Sequence, residues 1–294
     1  MMEWNEAPQE PRQLFRAYDF RTKKRLGQHF LVDAAILDEI VTVADVQPEE
    51  RVLEVGPGCG TLSLMVLQRG AEVDAIELDR DAIAFLKESL EPHFPFRVHG
   101  GDALEIDLGS ILESTPLPWK VVANLPYNVG TEVMFRLFEQ APRIEAMTLM
   151  FQREVAHRIV AEPGDSGYGV LSLMAQLHSH VHLAMTLGPE AFLPPPRVHS
   201  SVVQFRPLEK TRIEDRKLRE LFRRIVRAGF QMRRKTLANG LKSIGIEKPL
   251  VESALEKMDR KPKIRPEKLG FDEFVRLAQL LDEEGVLSDL EALS

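Results

Sequence analysis

The strongest constraint on this 294-residue chain is a short β-branched run, Arg51–Val55, that ends in Gly56-Pro57-Gly58-Cys59-Gly60 and opens into a helical pattern over Thr61–Arg69. Small residues in such a turn let a ligand approach the backbone, because glycine supplies conformations and clearance that a side chain blocks. The alternation then continues. Glu72–Leu78 reads as a second strand, Asp79–Leu90 as a helix, Phe96–His99 as a third strand and Lys120–Ala123 as a fourth; Val129–Gln140 is helical and Ala146–Phe151 is a fifth strand. Upstream, Asp33 caps a helical pattern in which Ile36, Leu37, Ile40, Val41 and Ala44 recur at three and four residues. Strands separated by helices imply βαβ units and a mostly parallel sheet covered on both faces. The chain therefore predicts a doubly wound, Rossmann-like α/β domain.

The alternation stops at Pro189–Pro207, where Pro194, Pro195 and Pro196 precede a strand-like Ser201–Phe205. Charge changes there as well. The whole chain carries 38 Lys and Arg against 45 Asp and Glu, a net charge of −7 that argues against a polyanionic partner if it is evenly spread. It is not evenly spread: Arg206–Arg265 holds 19 basic and 8 acidic residues, the remainder 19 and 37. Apolar spacing at Leu218, Leu221, Phe222, Ile225 and Val226 makes this basic region helical, with further helices near Arg234–Ser243, Lys248–Lys257 and Phe271–Leu281. The expected organisation is a flexible leader over 1–22, the α/β domain over 23–206 and a small all-helical domain with a basic face over 207–294. The single cysteine, Cys59, excludes a disulfide framework and a multi-cysteine zinc site. No run of 18 apolar residues is present and the N-terminus is polar and acidic, so no membrane partner and a cytoplasmic location are expected.

Glu77 ends the second strand 21 residues after Gly56, where a carboxylate can accept the hydroxyl hydrogens of a ribose. That arrangement suits NAD as well as S-adenosylmethionine. The glycine pattern is G-x-G-x-G, however, with Thr61 where a dehydrogenase has its third glycine, and Asp102 after the third strand suits an exocyclic adenine amine. These features favour S-adenosylmethionine and leave an NAD-dependent oxidoreductase as the alternative. Cys59 reads as a small loop residue. After the fourth strand stands Asn124-Leu125-Pro126-Tyr127. An adenine amine is a poor nucleophile because its lone pair is delocalised. The Asn124 side-chain oxygen and the Leu125 carbonyl can accept its two hydrogens, Pro126 fixes the turn, and Tyr127 offers a ring for stacking.

Lys23-Lys24-Arg25-Leu26-Gly27-Gln28-His29-Phe30-Leu31, Glu54–Gly60, Ile76–Asp79, Gly101-Asp102-Ala103, Asn124–Asn128, Phe192–Val198 and Phe230–Leu237 together resemble the successive motifs of the ribosomal RNA adenine dimethyltransferases of the KsgA (RsmA) type. The resemblance implies S-adenosylmethionine-dependent dimethylation of two adjacent adenosines in the loop of the 3′-terminal helix of small-subunit ribosomal RNA, by a monomer acting on a pre-30S particle without a metal. It implies cofactor contacts at His29, Leu31, Gly56, Glu77, Asp102 and Asn124, and a base sandwiched between Tyr127 and Phe192 beside Asn124, Leu125 and Pro126. Position 29 is often Asn in the family and is His here; Ser63 stands where Thr is usual. Large-subunit resistance methyltransferases share the Asn-(Leu/Ile)-Pro-Tyr chemistry, but Phe192–Val198 and Arg233-Arg234-Lys235-Thr236 favour the small-subunit type. Candidate phosphate contacts are Lys23, Lys24, Arg25, Arg223, Arg224, Arg227, Arg233, Arg234 and Lys235.

Overall fold

A computed structural model describes residues 6–18, 29–116, 118–232 and 235–286. In chain order the elements begin α1 (Pro11–Ala17), β1 (Phe30–Leu31), α2 (Ala34–Val43), β2 (Arg51–Val55), α3 (Thr61–Gln68), β3 (Glu72–Glu77), α4 (Arg80–Ser89) and β4 (Phe96–Gly100). There follow α5 (Leu108–Leu112), β5 (Trp119–Asn124), α6 (Gly130–Phe138), β6 (Ile144–Gln152), α7 (Arg153–Val160), α8 (Val170–His178), β7 (Ser179–Leu187), β8 (Phe192–Leu193) and β9 (Ser200–Pro207). The last of the described elements are α9 (Arg216–Gln231), α10 (Leu237–Leu241), α11 (Lys248–Lys257) and α12 (Phe271–Glu283).

Seven strands form one sheet in the order β4-β3-β2-β5-β6-β9-β7. The pairs β3–β4, β2–β3, β2–β5 and β5–β6 are parallel, and β9 runs antiparallel to β6. Val52, Leu53 and Val55 of β2 and Val121 and Val122 of β5 are almost wholly buried, as expected for central strands covered on both faces. From β2 the chain steps outward to β3 and β4, then returns to lay β5 and β6 on the other side. This reversal opens a crevice at the carboxyl ends of β2 and β5, where open α/β sheets hold ligands. A separate two-stranded ladder joins β1 to β8 with Leu31 opposite Phe192.

The five parallel strands lie within two residues of the positions expected from the sequence pattern. Two boundaries differ. The N-terminal residues 1–22 were expected to form a flexible leader, yet within them α1 is a helix whose Pro11 occupies the first turn and whose Leu14 is fully buried. The backbone N–H groups of Gln9 and Glu10 both donate to Gln13 Oε1, at 2.8 and 3.0 Å, closing the start of the helix. The contact pattern also divides the chain differently from a cut at 206/207. One unit comprises Met1–Ala156 and Val181–Glu209, the other His157–His180 and Lys210–Ser294. The segment 157–180 joins the helical unit because Tyr168, fully buried, donates its hydroxyl to the Leu269 carbonyl at 2.9 Å and packs edge-on against Phe230. Within that unit, α9 buries Leu221, Phe222, Ile225 and Val226 along one face, the 3.6-residue stripe expected of it.

Candidate active site

The crevice at the switch point deepens into a cavity floored by the glycine loop and walled by Phe30, Glu77, Asp102 and the Asn124–Tyr127 turn. Gly58 has φ +59°, and a Cβ placed on it would lie 2.4 Å from Phe30 Cε1, so only glycine fits there. The nearest neighbours of a Cβ on Gly56 would be Pro126 Cδ and Cγ, at 3.7 and 3.8 Å, which puts the end of β2 directly against the turn that follows β5.

Glu77, at the end of β3, is 6% exposed. Its Oε2 accepts the Gly58 N–H at 3.0 Å, and its Oε1 accepts the N–H groups of Leu78 and Asp79, both at 2.8 Å. Burial pushes this carboxyl above the usual carboxylate range, opposed by the three N–H groups and reinforced by Asp79. Those donors use about three of the four lone-pair positions, leaving one on Oε2 for a ligand hydroxyl. Asp102 Oδ1 accepts the Leu104 N–H at 2.8 Å, which holds the carboxylate at the cavity wall.

Glu54 is the functional candidate that the sequence reading did not single out. It ends up 2% exposed at the carboxyl end of β2, lines the cavity, and accepts the Ser63 hydroxyl at 2.5 Å on Oε2. Burial, the largest influence, carries its pKa to about 8 against the Ser63 hydrogen bond, with Glu77 adding to the rise. A carboxyl inside an otherwise apolar strand was the available signal. Ser63, where the family usually has Thr, supplies the hydroxyl either residue carries. Cys59 is fully buried and its thiol is pushed up to about 12 by burial, so it remains a protonated packing residue.

Asn124 ends β5 and its Nδ2 donates to the His29 carbonyl at 3.0 Å. A carbonyl partner accepts only from the amide NH2, so the contact fixes the orientation of the amide and reserves Oδ1 as an acceptor. His29 is itself tied down: Nδ1 donates to the Pro194 carbonyl at 2.8 Å, and the ring stacks on Tyr127 with centroids 5.6 Å apart and planes 30° apart. Tyr127 is half-buried and its hydroxyl lies 2.6 Å from Ser200 Oγ. Burial raises its pKa, opposed by that hydrogen bond, and the phenol stays neutral. Leu31, His29, Gly56, Glu77, Asp102, Asn124, Leu125, Pro126 and Tyr127 all line the one cavity.

Phe192 does not. Its side chain is 1% exposed in the core, because the two-residue alternation of β8 turns Phe192 inward opposite Leu31 and Leu193 outward, 43% exposed. Phe192 therefore does not supply the second face of the expected base sandwich in this conformation. Of the candidate phosphate contacts, Lys23, Lys24, Arg25, Arg233 and Arg234 lie outside the described residues. Arg223 is half-buried with Nη2 3.3 Å from His178 Nε2; burial, then Arg223 and Arg219, lower the His178 pKa to about 4, which keeps the ring a neutral acceptor. Arg224 pairs with Glu220 at 3.5 Å, and Arg227 and Lys235 are exposed.

The cavity lining contains three carboxyl groups, Glu54, Glu77 and Asp102, the first kept protonated by burial. Those acceptors fit a cationic cofactor that carries ribose hydroxyls and an adenine amine. The fold and this site define a class, the Rossmann-like methyltransferases that use S-adenosylmethionine. Comparison with known proteins narrows it. Residues 19–282 match the family model described as ribosomal RNA adenine dimethylase, and the chain belongs to that family. It is an rRNA adenine dimethyltransferase. A relative from Clostridium botulinum (strain Loch Maree / Type A3), named ribosomal RNA small subunit methyltransferase A, is 39% identical over 92% of this chain and 98% of its own. The protein of the same name from Syntrophotalea carbinolica is 42% identical over 89% and 97%. Among solved structures, a dimethyladenosine transferase from Plasmodium falciparum superposes with a TM-score of 0.72 at 26% identity, covering 87% of this chain and 98% of that one. The 23S rRNA methyltransferase ErmE gives 0.66 at 25% identity, covering 86% and 99%.

Proposed function

We propose that this enzyme dimethylates two adjacent adenosines in the loop of the 3′-terminal helix of small-subunit ribosomal RNA, acting as a cytoplasmic monomer on a pre-30S particle. The observation that carries the chemistry is the Asn124 amide, whose donor end is engaged by His29 and whose Oδ1 is kept for an amine hydrogen. S-Adenosylmethionine, when bound, supplies an electrophilic methyl group on a positively charged sulfur. Glu77 would hold its ribose, Asp102 its adenine amine, and Gly56, Leu31 and His29 would border it. Glu54 faces the same cavity protonated, and a cationic end beside it would favour its ionised form.

The rest is work for the protein's own groups. Asn124 Oδ1 and the Leu125 carbonyl accept the two hydrogens of the target amine, which favours the more pyramidal nitrogen of the transition state. Tyr127, held from behind by Ser200 and beside His29, presents a ring to the unstacked base; such stacking contributes ~1–3 kcal/mol per base. Phe192 joins the sandwich only if β8 rearranges when RNA binds. Arg224, Arg227 and Lys235, with the basic residues outside the described segments, supply phosphate contacts from the helical unit.

The small-subunit assignment is supported by the names of relatives about 40% identical over nearly their full lengths. Incubation with labelled S-adenosylmethionine and undermethylated small subunits, followed by mapping of modified nucleotides, tests it. Label is expected on two neighbouring adenosines of the 3′-terminal helix. Label in large-subunit RNA, or in neither, would overturn the proposal.

A further inference from the structure

We propose that Phe15 and Tyr18, ahead of the stretch matched by the family model, are positioning residues for the cofactor site and act through Phe30. The proposal rests on the reading of the cavity as the cofactor site. Residues 6–18 are docked, not trailing. Leu14 of α1 sits in the same apolar cluster as Leu64 and Leu67 of α3, and Gln68 Nε2 donates to the Gln9 carbonyl at 2.8 Å. Just past α1, Tyr18 is 9% exposed, with its ring centroid 5.0 Å from Phe85 of α4 and 6.3 Å from Phe30. Phe15 stands 6.0 Å from Phe30.

Phe30 belongs to two environments at once. With Tyr18, Val32, Cys59 and Ala82 it forms a small buried cluster, flanked by Phe15 and Phe85, and it also forms part of the cavity wall. Its Cε1 and Cδ1 fill the space a side chain on Gly58 would need, and the Gly58 N–H is engaged by Glu77. The placement of the glycine loop's wall is thus relayed from α3 and α4 through two aromatic rings of the N-terminal segment. Burial, then Asp79 and Glu77, push the Tyr18 phenol upward in pKa, so the ring enters this cluster neutral. Removing the Tyr18 ring opens a void behind Phe30, and a ring with a void behind it is free to tilt off the loop it covers. A residue that only stabilised the fold would lower the melting temperature without changing affinity for the cofactor.

The test is titration of S-adenosylhomocysteine into the full chain and into Tyr18→Ala, Tyr18→Phe, Phe30→Leu, the Tyr18→Ala/Phe30→Leu double variant, and Glu77→Ala. Tyr18→Ala is expected to weaken binding about tenfold, Tyr18→Phe less than about twofold, and Tyr18→Ala in the Phe30→Leu background less than about twofold further. Affinity within about twofold of the parent for Tyr18→Ala, or an equal penalty in both backgrounds, would overturn the positioning role. If Tyr18→Ala does not fold, Tyr18→Leu carries the same comparison. Unchanged binding by Glu77→Ala would instead overturn the reading of the cavity, whereas weakened binding there with intact Tyr18→Ala affinity removes the positioning role alone.

Discussion

The loop that follows β2 and the exposed face of α9 solve opposite problems. Around the loop, Glu54 and Glu77 are 2% and 6% exposed, and their carboxylates are held by a hydroxyl and three backbone N–H groups. On α9, Arg227 is exposed and Arg224 only loosely paired, long side chains with many conformers. A preorganised, desolvated site reads the identity of one small molecule, and each of its parts depends on the others. A solvated cationic face reads charge and tolerates the loss of any one member. Substitutions should therefore be abrupt at the first region and graded at the second.

The largest expected effect is at Asn124. Asn124→Ala removes the acceptor aimed at the amine, and kcat for methylation is expected to fall ~10²–10³-fold, while affinity for small subunits is retained. Single-turnover kinetics beside a subunit-binding assay check this; unchanged methylation would remove Asn124 from the amine contact. Gly58→Ala comes next. It combines a φ of +59° with a methyl 2.4 Å from a Phe30 ring that Phe15 and Tyr18 hold in place, and should weaken S-adenosylhomocysteine binding ~10–100-fold by calorimetry. Parent-like affinity would mean that the loop and Phe30 yield together, and that the first region is softer than its packing indicates.

Glu54 gives the same region a pH signature. Its pKa is about 8 in the folded chain against an ordinary 4.5, so between those values the folded chain keeps a proton that the unfolded chain has lost. Stability contributed by this group is present at low pH and is lost as pH rises from 4.5 through about 8. His178 works in another window and with the opposite sign: its pKa is lowered from 6.5 to about 4, and its contribution is lost as pH falls between those values. From pH 6.5 to 8, urea unfolding of the parent should lose roughly 1.5–2 kcal/mol more than that of Glu54→Gln. Parallel pH profiles would show that Glu54 is ionised in the free chain.

How much of this was legible beforehand follows the same division between local and distant causes. The β2–loop–α3 segment declared itself because central strands and glycine turns are encoded within a few residues, and Asn124 stood out through the chemistry an adenine amine needs. The inward direction of Phe192 was not legible because it is decided by pairing with Leu31, far away in the chain. The helix at Pro11–Ala17 was hidden by surrounding prolines and glutamates, although Pro11, Leu14 and Tyr18 already follow a helical spacing. The membership of 157–180 in the helical unit leaves no trace in composition; it depends on the contact between Tyr168 and Leu269, 101 residues apart.

The smallest effect expected is at Arg227, and it bears most directly on the contrast. An exposed arginine that neutralises one phosphate releases about one counterion, so Arg227→Ala should weaken RNA binding only about two- to fivefold at moderate salt and lower the salt-dependence slope by about 1. Arg224→Ala should behave in the same way, and the double variant should lose close to the sum in free energy, because neither side chain depends on the other for its place. Neither change should alter S-adenosylhomocysteine affinity. Measurement of RNA affinity across a salt series for the two single variants and the double variant checks all three points. A loss of more than ~100-fold from Arg227→Ala alone, or strong non-additivity, would show that α9 presents a preorganised site of the kind the glycine loop forms, and the distinction between the two regions would then lie in their ligands and not in their construction.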